Sequence, residues 1–151
     1  MTEETRSAHV EENGDSAYAV TIRVSGHEFC GDEPVSSGGG NTGPAPYDML
    51  LAALGECTAL TVRWYAKQQN WPLEKVEVNL THRQNIVQGG SGKTDFFEKR
   101  VTLRGASLSD DQRKKLYDVA AKCPVQRTLE GTPIIETRGD TQSVRRVPPQ
   151  G

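Results

Sequence analysis

A proline-free segment, residues 47–70, restricts the fold more than any other part of the chain, because its first half is almost entirely apolar. Pro44 and Pro46 precede the segment and are tolerated where a helix begins, and Trp71-Pro72 follows it. The pattern therefore predicts one long helix. A helix that is apolar on nearly every side needs cover on every side, which one small sheet cannot supply. We expect a second copy of the chain to provide part of that cover.

Alternating apolar and polar residues predict strands before and after this helix. Asn13-Gly14 lies within the first alternating stretch and favours a two-residue hairpin turn. A polar tip, residues 88–93, separates the two strands that follow the helix. The predicted extended segments are residues 8–24 as a hairpin, then 27–30, 76–80, 97–103 and 134–137.

Two shorter helices and a loop complete the pattern. Ser109 and Gln112 have the spacing of a capping box, which predicts a helix that runs to Lys122. Residues 126–130 are expected to form a short helical turn. Residues 34–46 are rich in Gly, Ser, Asn and Pro, and this composition predicts a loop.

The order of these elements indicates an α+β fold, with helices packed on an antiparallel sheet. We expect residues 1–137 to form a single domain. The polar segment 138–151 is expected to be a disordered tail.

Composition excludes several classes of partner. The 151 residues include 18 Lys and Arg against 20 Asp and Glu, a formal charge of -2, which offers no positive field for nucleic acid or an anionic membrane. No segment is apolar over the ~20 residues needed to cross a bilayer, and the N-terminus lacks the features of a secretory signal. We therefore expect a cytoplasmic protein without a nucleic-acid or membrane partner.

Two groups of residues that could bind a ligand are interpreted as having no ligand. Residues 38–40 are three glycines before a helix, which could cradle an anion, but no basic residue is near and we interpret them as a flexible connection. The histidines have no spacing typical of a metal site and are expected to be ordinary surface or half-buried residues: His9, His27 and His82.

The cysteines contain the most chemical information. Cys30, Cys57 and Cys123 match no CxxC pattern of zinc or thioredoxin-like sites. Steps of three and four residues place Cys57 with Leu54 and Trp64 on the predicted deepest stripe of the long helix. In that position a cysteine is ordinarily a small, inert hydrophobe.

Cys123 differs because it stands directly before Pro124. If Pro124 begins the next helical turn, Cys123 is its N-cap, where unpaired N–H groups favour a thiolate. Arg127, four residues later, either adds a full positive charge there or is a solvated surface residue.

Four segments also allow a family to be recognised: DEP (32–34), GGNTGPAPY (39–47), LLAALGECTA (50–59) and CPVQRTL (123–129). In this order they resemble the OsmC/Ohr family, the osmotically inducible and organic hydroperoxide resistance proteins. The likeness extends over about residues 8–137.

The resemblance implies an OsmC-like fold with a long buried central helix, an intertwined homodimer, and active sites at the subunit interface. It also implies a cysteine-based peroxidase acting on organic hydroperoxides or hydrogen peroxide. Carried over to this chain, Cys57 is the peroxidatic thiolate and Cys123 is the resolving thiol. Such an enzyme uses no cofactor and is recycled by an external dithiol reductant. Its thiolate becomes a sulfenic acid, which condenses with the second thiol.

A buried thiol needs a cation or a hydrogen-bond donor to ionise, because apolar surroundings raise its pKa. The hydroperoxide branch of the family uses an arginine held by a glutamate, but those positions fall near Ser16 and at Tyr47 in this chain. Asp48 either substitutes for the glutamate or simply favours the first helical turn. The candidate cations are Arg6, Arg23, Arg63 and Arg127, of which Arg127 is the first choice because it follows Cys123.

The leading hypothesis is therefore a cytoplasmic, dimeric thiol peroxidase. If no arginine approaches the sulfur, the chain has kept the fold without efficient peroxidase activity. The alternative is a noncatalytic protein that binds a small hydrophobic ligand, with structural cysteines. A thiol-disulfide exchanger is a third option, but it lacks the usual paired-cysteine motif. We interpret Cys30 as incidental.

Overall fold

The computed structural model describes residues 4–84 and 94–140. The strands are β1 (Ala8–Glu12), β2 (Val20–Val24), β3 (His27–Gly31), β4 (Lys75–Gln84) and β5 (Asp95–Arg104); the helices are α1 (Pro46–Gln68), α2 (Asp110–Ala120) and α3 (Pro124–Glu130), with a 3-10 turn at Val35–Ser37. Within the described residues, β1, β2 and β3 form one antiparallel sheet, and β4 and β5 form another. The predicted α+β class with antiparallel pairing is confirmed, although there are two sheets instead of one.

Helix α1 (Pro46–Gln68) agrees with the predicted long helix of residues 47–70 to within two residues at each end. Its deepest stripe follows i, i+4 spacing through Leu54, Thr58, Val62 and Ala66, and packs against β4 and α2. Cys57 lies beside this stripe and is half-buried, so its predicted place on the deepest stripe is wrong.

The opposite side of α1 is open in the single chain. Leu60 is 60% exposed and Trp64 is 61% exposed. The prediction of a helix buried on every side is therefore wrong for one chain, because the two sheets and two shorter helices cover only part of its circumference.

The main core lies between the second half of α1, α2 and β5. Its members are Val62, Ala66, Leu73, Leu103, Leu108, Leu116 and Ala120. α1 also approaches β4 closely at Gly55, where a Cβ atom would lie 2.6 Å from Leu80 Cδ1. These contacts bring the middle of α1 against the face of the β4–β5 hairpin.

The turn between β1 and β2 differs from the prediction. Residues 13–19 connect the strands, since Glu12 pairs with Val20, and a two-residue turn is not formed. Asn13 explains the longer connection, because its Oδ1 accepts the Asp15 N–H at 2.9 Å and its amide donates to Thr21.

The glycine-rich loop is not the predicted flexible connection. Asp32, only 4% exposed, accepts hydrogen bonds from the Gly40 N–H at 3.1 Å, from the Thr42 N–H and hydroxyl, and from the Ser16 hydroxyl. The loop therefore does cradle an anion, and that anion is a carboxylate of the same chain.

The end of the chain also departs from the prediction. Residues 134–137 form no strand, and Ile134 and Ile135 are 90% and 85% exposed, because no strand edge within the described residues pairs with them. The predicted polar tip at 88–93 lies outside the described residues, as does most of the predicted disordered tail, of which only 138–140 are described.

Candidate active site

The first turn of α3 brings two cysteines together. Cys123 is the N-cap of α3, as predicted, and is fully buried at 0% exposure. The Val125 N–H of the same turn donates to Cys57 Sγ at 3.4 Å. One short segment therefore contains one thiol and contacts the other, although Val125 and Cys57 are 68 positions apart in sequence.

A hydrogen-bonded chain leads from β5 to the Cys123 sulfur. Lys99 Nζ donates to Thr58 Oγ1 at 2.9 Å and to the Ala120 carbonyl at 2.7 Å. Thr58 is itself fully buried, and its hydroxyl lies 3.4 Å from Cys123 Sγ and 2.8 Å from the Leu54 carbonyl. Since the hydroxyl has one proton, it donates to the sulfur or to the carbonyl at any moment.

These contacts change the acidity of Cys123. Burial raises the pKa of its thiol, but hydrogen bonds from the Thr58 hydroxyl, the Gln126 N–H and the Cys57 thiol, together with the Lys99 charge, outweigh burial and lower the pKa below its ordinary value. The arrangement therefore favours a thiolate in a site without direct access to solvent.

Lys99 is shifted by the same surroundings. Burial lowers the pKa of its ammonium group, and Coulomb attraction to the neighbouring acidic groups of Cys123, Cys57 and Glu130 offsets part of that effect. Opposite charges on Lys99 and Cys123 thus stabilise each other in a partly buried place, where Coulomb attraction is stronger than in water.

The arginines named from the sequence do not contact the sulfurs. Arg127 is exposed, and its side chain forms no hydrogen bond or ion pair with any part of the chain that the structure describes. The others are engaged elsewhere: Arg6 pairs with Glu4, Arg23 with Glu11 and Glu28, and Arg63 donates to the Leu73 and Glu74 carbonyls. The geometry gives no support to Arg127 as the activating cation.

The remaining predicted positions also lie apart from the thiols. Asp48 is exposed and accepts the Ala45 N–H at 3.0 Å, which is the contact of an ordinary first-turn carboxylate. Ser16 donates to Asp32. Cys30 is half-buried on β3 opposite Thr21.

Tyr47 stands where the family's glutamate is expected, and it has a different partner. Its ring stacks on His82, with centroids 4.6 Å apart, and Phe97 stacks on the other side of the imidazole. His82 Nε2 lies 2.8 Å from Asp95 Oδ1. An aromatic stack thus occupies the start of α1, where the resemblance implies a glutamate.

A cleft of about 710 Å³ lies between the first half of α1, β5 and α3. Its walls include Tyr47, Leu50, Leu54, Phe97, Lys99 and Leu129. Gln126 also lines it, and Gln126 Oε1 is a buried acceptor without a partner in the described residues. The cleft therefore offers apolar walls, the carboxylates of Asp95 and Glu130, and the unpartnered Gln126 acceptor beside the cation of the sulfur site.

Neither a metal centre nor a membrane span is found in the described parts of the chain. Across residues 4–84 and 94–140, no three His, Cys, Asp or Glu side chains are grouped so that they could hold a metal ion. The helices of the same residues are too short or too polar to cross a bilayer.

Sequence reasoning missed Lys99 and Thr58. A signal for Lys99 was present, because alternation along β5 places it on the same face as Phe97, Val101 and Leu103, where a charge interrupts an apolar series. Thr58 gave no comparable signal, since a threonine within a helix is ordinary.

Comparison with known proteins identifies the family. A family model described as OsmC-like protein matches residues 38–138. The chain belongs to the OsmC-like family. The comparison with curated protein sequences finds no match for this OsmC-like chain.

Solved structures agree with this OsmC-like assignment. An OsmC-like protein from Mycoplasma pneumoniae is 21% identical, with 86% of this chain and 90% of that chain covered and a TM-score of 0.69. An organic hydroperoxide resistance protein OsmC from Legionella pneumophila is 16% identical, with 87% and 93% covered and a TM-score of 0.64. One from Elizabethkingia anophelis is 19% identical, with 86% and 91% covered and a TM-score of 0.63. At these identities the structures show a shared fold.

Proposed function

We propose that this OsmC-like chain is a thiol peroxidase that reduces organic hydroperoxides or hydrogen peroxide. The observation that supports it most is the convergence of Cys57 and Cys123 on the first turn of α3, with Lys99 and Thr58 beside them. None of the candidate arginines contacts the sulfurs, but Lys99 brings a positive charge to the site in their place. Two thiols and a nearby positive charge are the components that a peroxide-reducing disulfide cycle requires.

Exposure supports a division of roles between the two cysteines. Cys57 is half-buried and is the more accessible of the two, whereas Cys123 is fully buried. Cys57 therefore attacks the O–O bond: a sulfur–oxygen bond forms, the O–O bond breaks, and the alkoxide leaves as an alcohol after taking a proton. Cys123 then forms the disulfide with the resulting sulfenic acid, releasing water. A dithiol reductant restores both thiols.

The cleft would also suit the alternative, a protein that binds a small hydrophobic ligand without catalysis. The polarised surroundings of Cys123 favour redox chemistry instead, because a merely structural buried cysteine needs no cation and no hydroxyl at its sulfur.

The same proposal includes a homodimer in the cytoplasm. The exposed apolar side chains Leu60, Trp64 and Ile134 favour a second copy of the chain as cover. Three free cysteines suit a reducing compartment.

Steady-state reduction of cumene hydroperoxide with a dithiol reductant tests the activity. Cys57→Ser is expected to abolish turnover, because the attacking sulfur is gone. Cys123→Ser is expected to consume about one equivalent of peroxide per chain and then stop at the sulfenic acid unless the reductant attacks it directly. Cys30→Ser is the matched control and should retain wild-type turnover. A Cys57→Ser variant with full activity would refute the mechanism, and a wild-type protein that consumes no peroxide would favour the binding protein.

A further inference from the structure

We propose that Lys99 and Thr58 form a hydrogen-bonded relay that holds negative charge on the Cys123 sulfur, so that the buried resolving cysteine is ready to act as a nucleophile. The inference rests on the proposed function for what the charge accomplishes, but the relay itself can be tested without any turnover.

Geometry supports the relay at each step. Lys99 Nζ donates to Thr58 Oγ1 at 2.9 Å, which leaves the Thr58 proton free to point at Cys123 Sγ, 3.4 Å away. A hydrogen bond to a charged acceptor is roughly twice as strong as a neutral one. When Cys123 is a thiolate, the Thr58 hydroxyl therefore donates its hydrogen bond to the sulfur. When Cys123 is a neutral thiol, the hydroxyl donates to the Leu54 carbonyl instead.

The charged, titratable and hydrogen-bonding groups around Cys123 come from three elements. α1 contributes the Cys57 thiol, β5 contributes Lys99, and α3 contributes the Gln126 N–H and, facing Lys99, the Glu130 carboxylate. Of these, Glu130 acts on Lys99, whose charged form it favours. The remaining contacts favour negative charge on the sulfur.

The relay prepares Cys123 for the disulfide step. Cys57 attacks the peroxide first: the S–O bond forms, the O–O bond breaks, and the alkoxide takes a proton from solvent and leaves as an alcohol. Cys123, held as a thiolate, then attacks the Cys57 sulfenic sulfur: the S–S bond forms, the S–O bond breaks, and hydroxide leaves and is protonated by solvent. Lys99 and Thr58 are positioning residues in this scheme, since they act through Cys123.

Carbon-13 NMR of the reduced protein, labelled at cysteine Cβ, tests the relay by following each thiol separately with pH. Cys123 is expected to titrate below the ordinary cysteine value of about 8.5. Lys99→Met and Thr58→Val should each raise its midpoint by about one pH unit, which means about a tenfold lower ratio of thiolate to thiol at a given pH.

Two control variants distinguish loss of the relay from the general effects of substituting a buried residue or removing a nearby charge. Thr58→Ser retains the hydroxyl and should titrate like the wild type, which also shows that the position tolerates substitution. Lys122→Met removes a charge one residue from Cys123, but Lys122 is exposed and should have no effect. Unchanged titration of Cys123 in both Lys99→Met and Thr58→Val would overturn the proposal, as would an equal rise in Lys122→Met.

A second measurement addresses the chemical consequence. Under excess peroxide, Lys99→Met and Thr58→Val should accumulate sulfinic acid at Cys57, because slower attack by Cys123 leaves the sulfenic acid open to a second oxidation. Mass spectrometry distinguishes this product from the disulfide. A wild-type protein that titrates as expected but reduces no peroxide would refute the proposed function and leave the relay standing.

Discussion

Asp32 shows how one residue can stabilise a loop that lacks an apolar core of its own. Burial raises the pKa of this carboxyl group, but hydrogen bonds from Thr42, Glu33 and Ser16 outweigh burial and hold the pKa well below its usual range. The negative charge is therefore part of the folded structure, and the surrounding glycines bring backbone N–H groups close enough to satisfy it.

Asp32→Asn is expected to destabilise the protein at neutral pH, because an amide places N–H donors against the donors of the loop. Since the folded-state pKa is depressed, the stabilisation by the carboxylate is fully present above the ordinary value of 3.8 and is lost as pH falls below it. Urea unfolding of both proteins at pH 7 and near pH 3 measures this. The difference in free energy of unfolding between the wild type and Asp32→Asn should shrink at the lower pH. A difference that grows on acidification would contradict the stabilising role of the Asp32 carboxylate.

At the scale of elements, α1 has two different faces. One face packs on β4 and α2, and the other presents Leu60 and Trp64 to solvent. Large apolar side chains that recur at i, i+4 on an uncovered helix are typical of an interface. The same helix holds Cys57 and Thr58, so a partner that covers it would also shield the sulfur site.

Trp64→Glu is expected to convert a homodimer to a monomer, because a carboxylate would be buried without a partner in the interface. Analytical ultracentrifugation reports the mass, and circular dichroism checks that the helices remain. Tyr117→Glu, an equivalent change at an exposed aromatic residue of α2, should stay dimeric. A wild-type protein that sediments as a monomer would rule out the dimer.

At the scale of the whole molecule, local patterns were sufficient for most elements. Alternation located the strands, and the Ser109 capping box, with the Gln112 N–H donating to Ser109 Oγ at 3.1 Å, begins α2 as predicted. The turn after β1 was missed because the Asn13 side chain, and not its φ angle, determines that connection. Residues 134–137 have a strand pattern, but a strand also needs a partner, which periodicity does not reveal.

The site was less predictable than the fold. The resemblance named both cysteines, and the Pro124 signal correctly placed Cys123 at a helix N-cap. The basic group could not be chosen, because Lys99 approaches Thr58 only through the pairing register of β4 with β5 and the packing of α1 on that hairpin. Such contacts join residues that are distant in sequence, so the spacing of residues along the chain does not predict them.

The central claim, that Cys57 and Cys123 act as one redox pair, is tested most directly by mapping disulfides after adding one equivalent of an organic hydroperoxide to the reduced protein. Peptide mass spectrometry should find Cys57 linked to Cys123 within a single chain, with Cys30 remaining a free thiol. A disulfide that includes Cys30, or oxidation of Cys57 without any link to Cys123, would contradict the account.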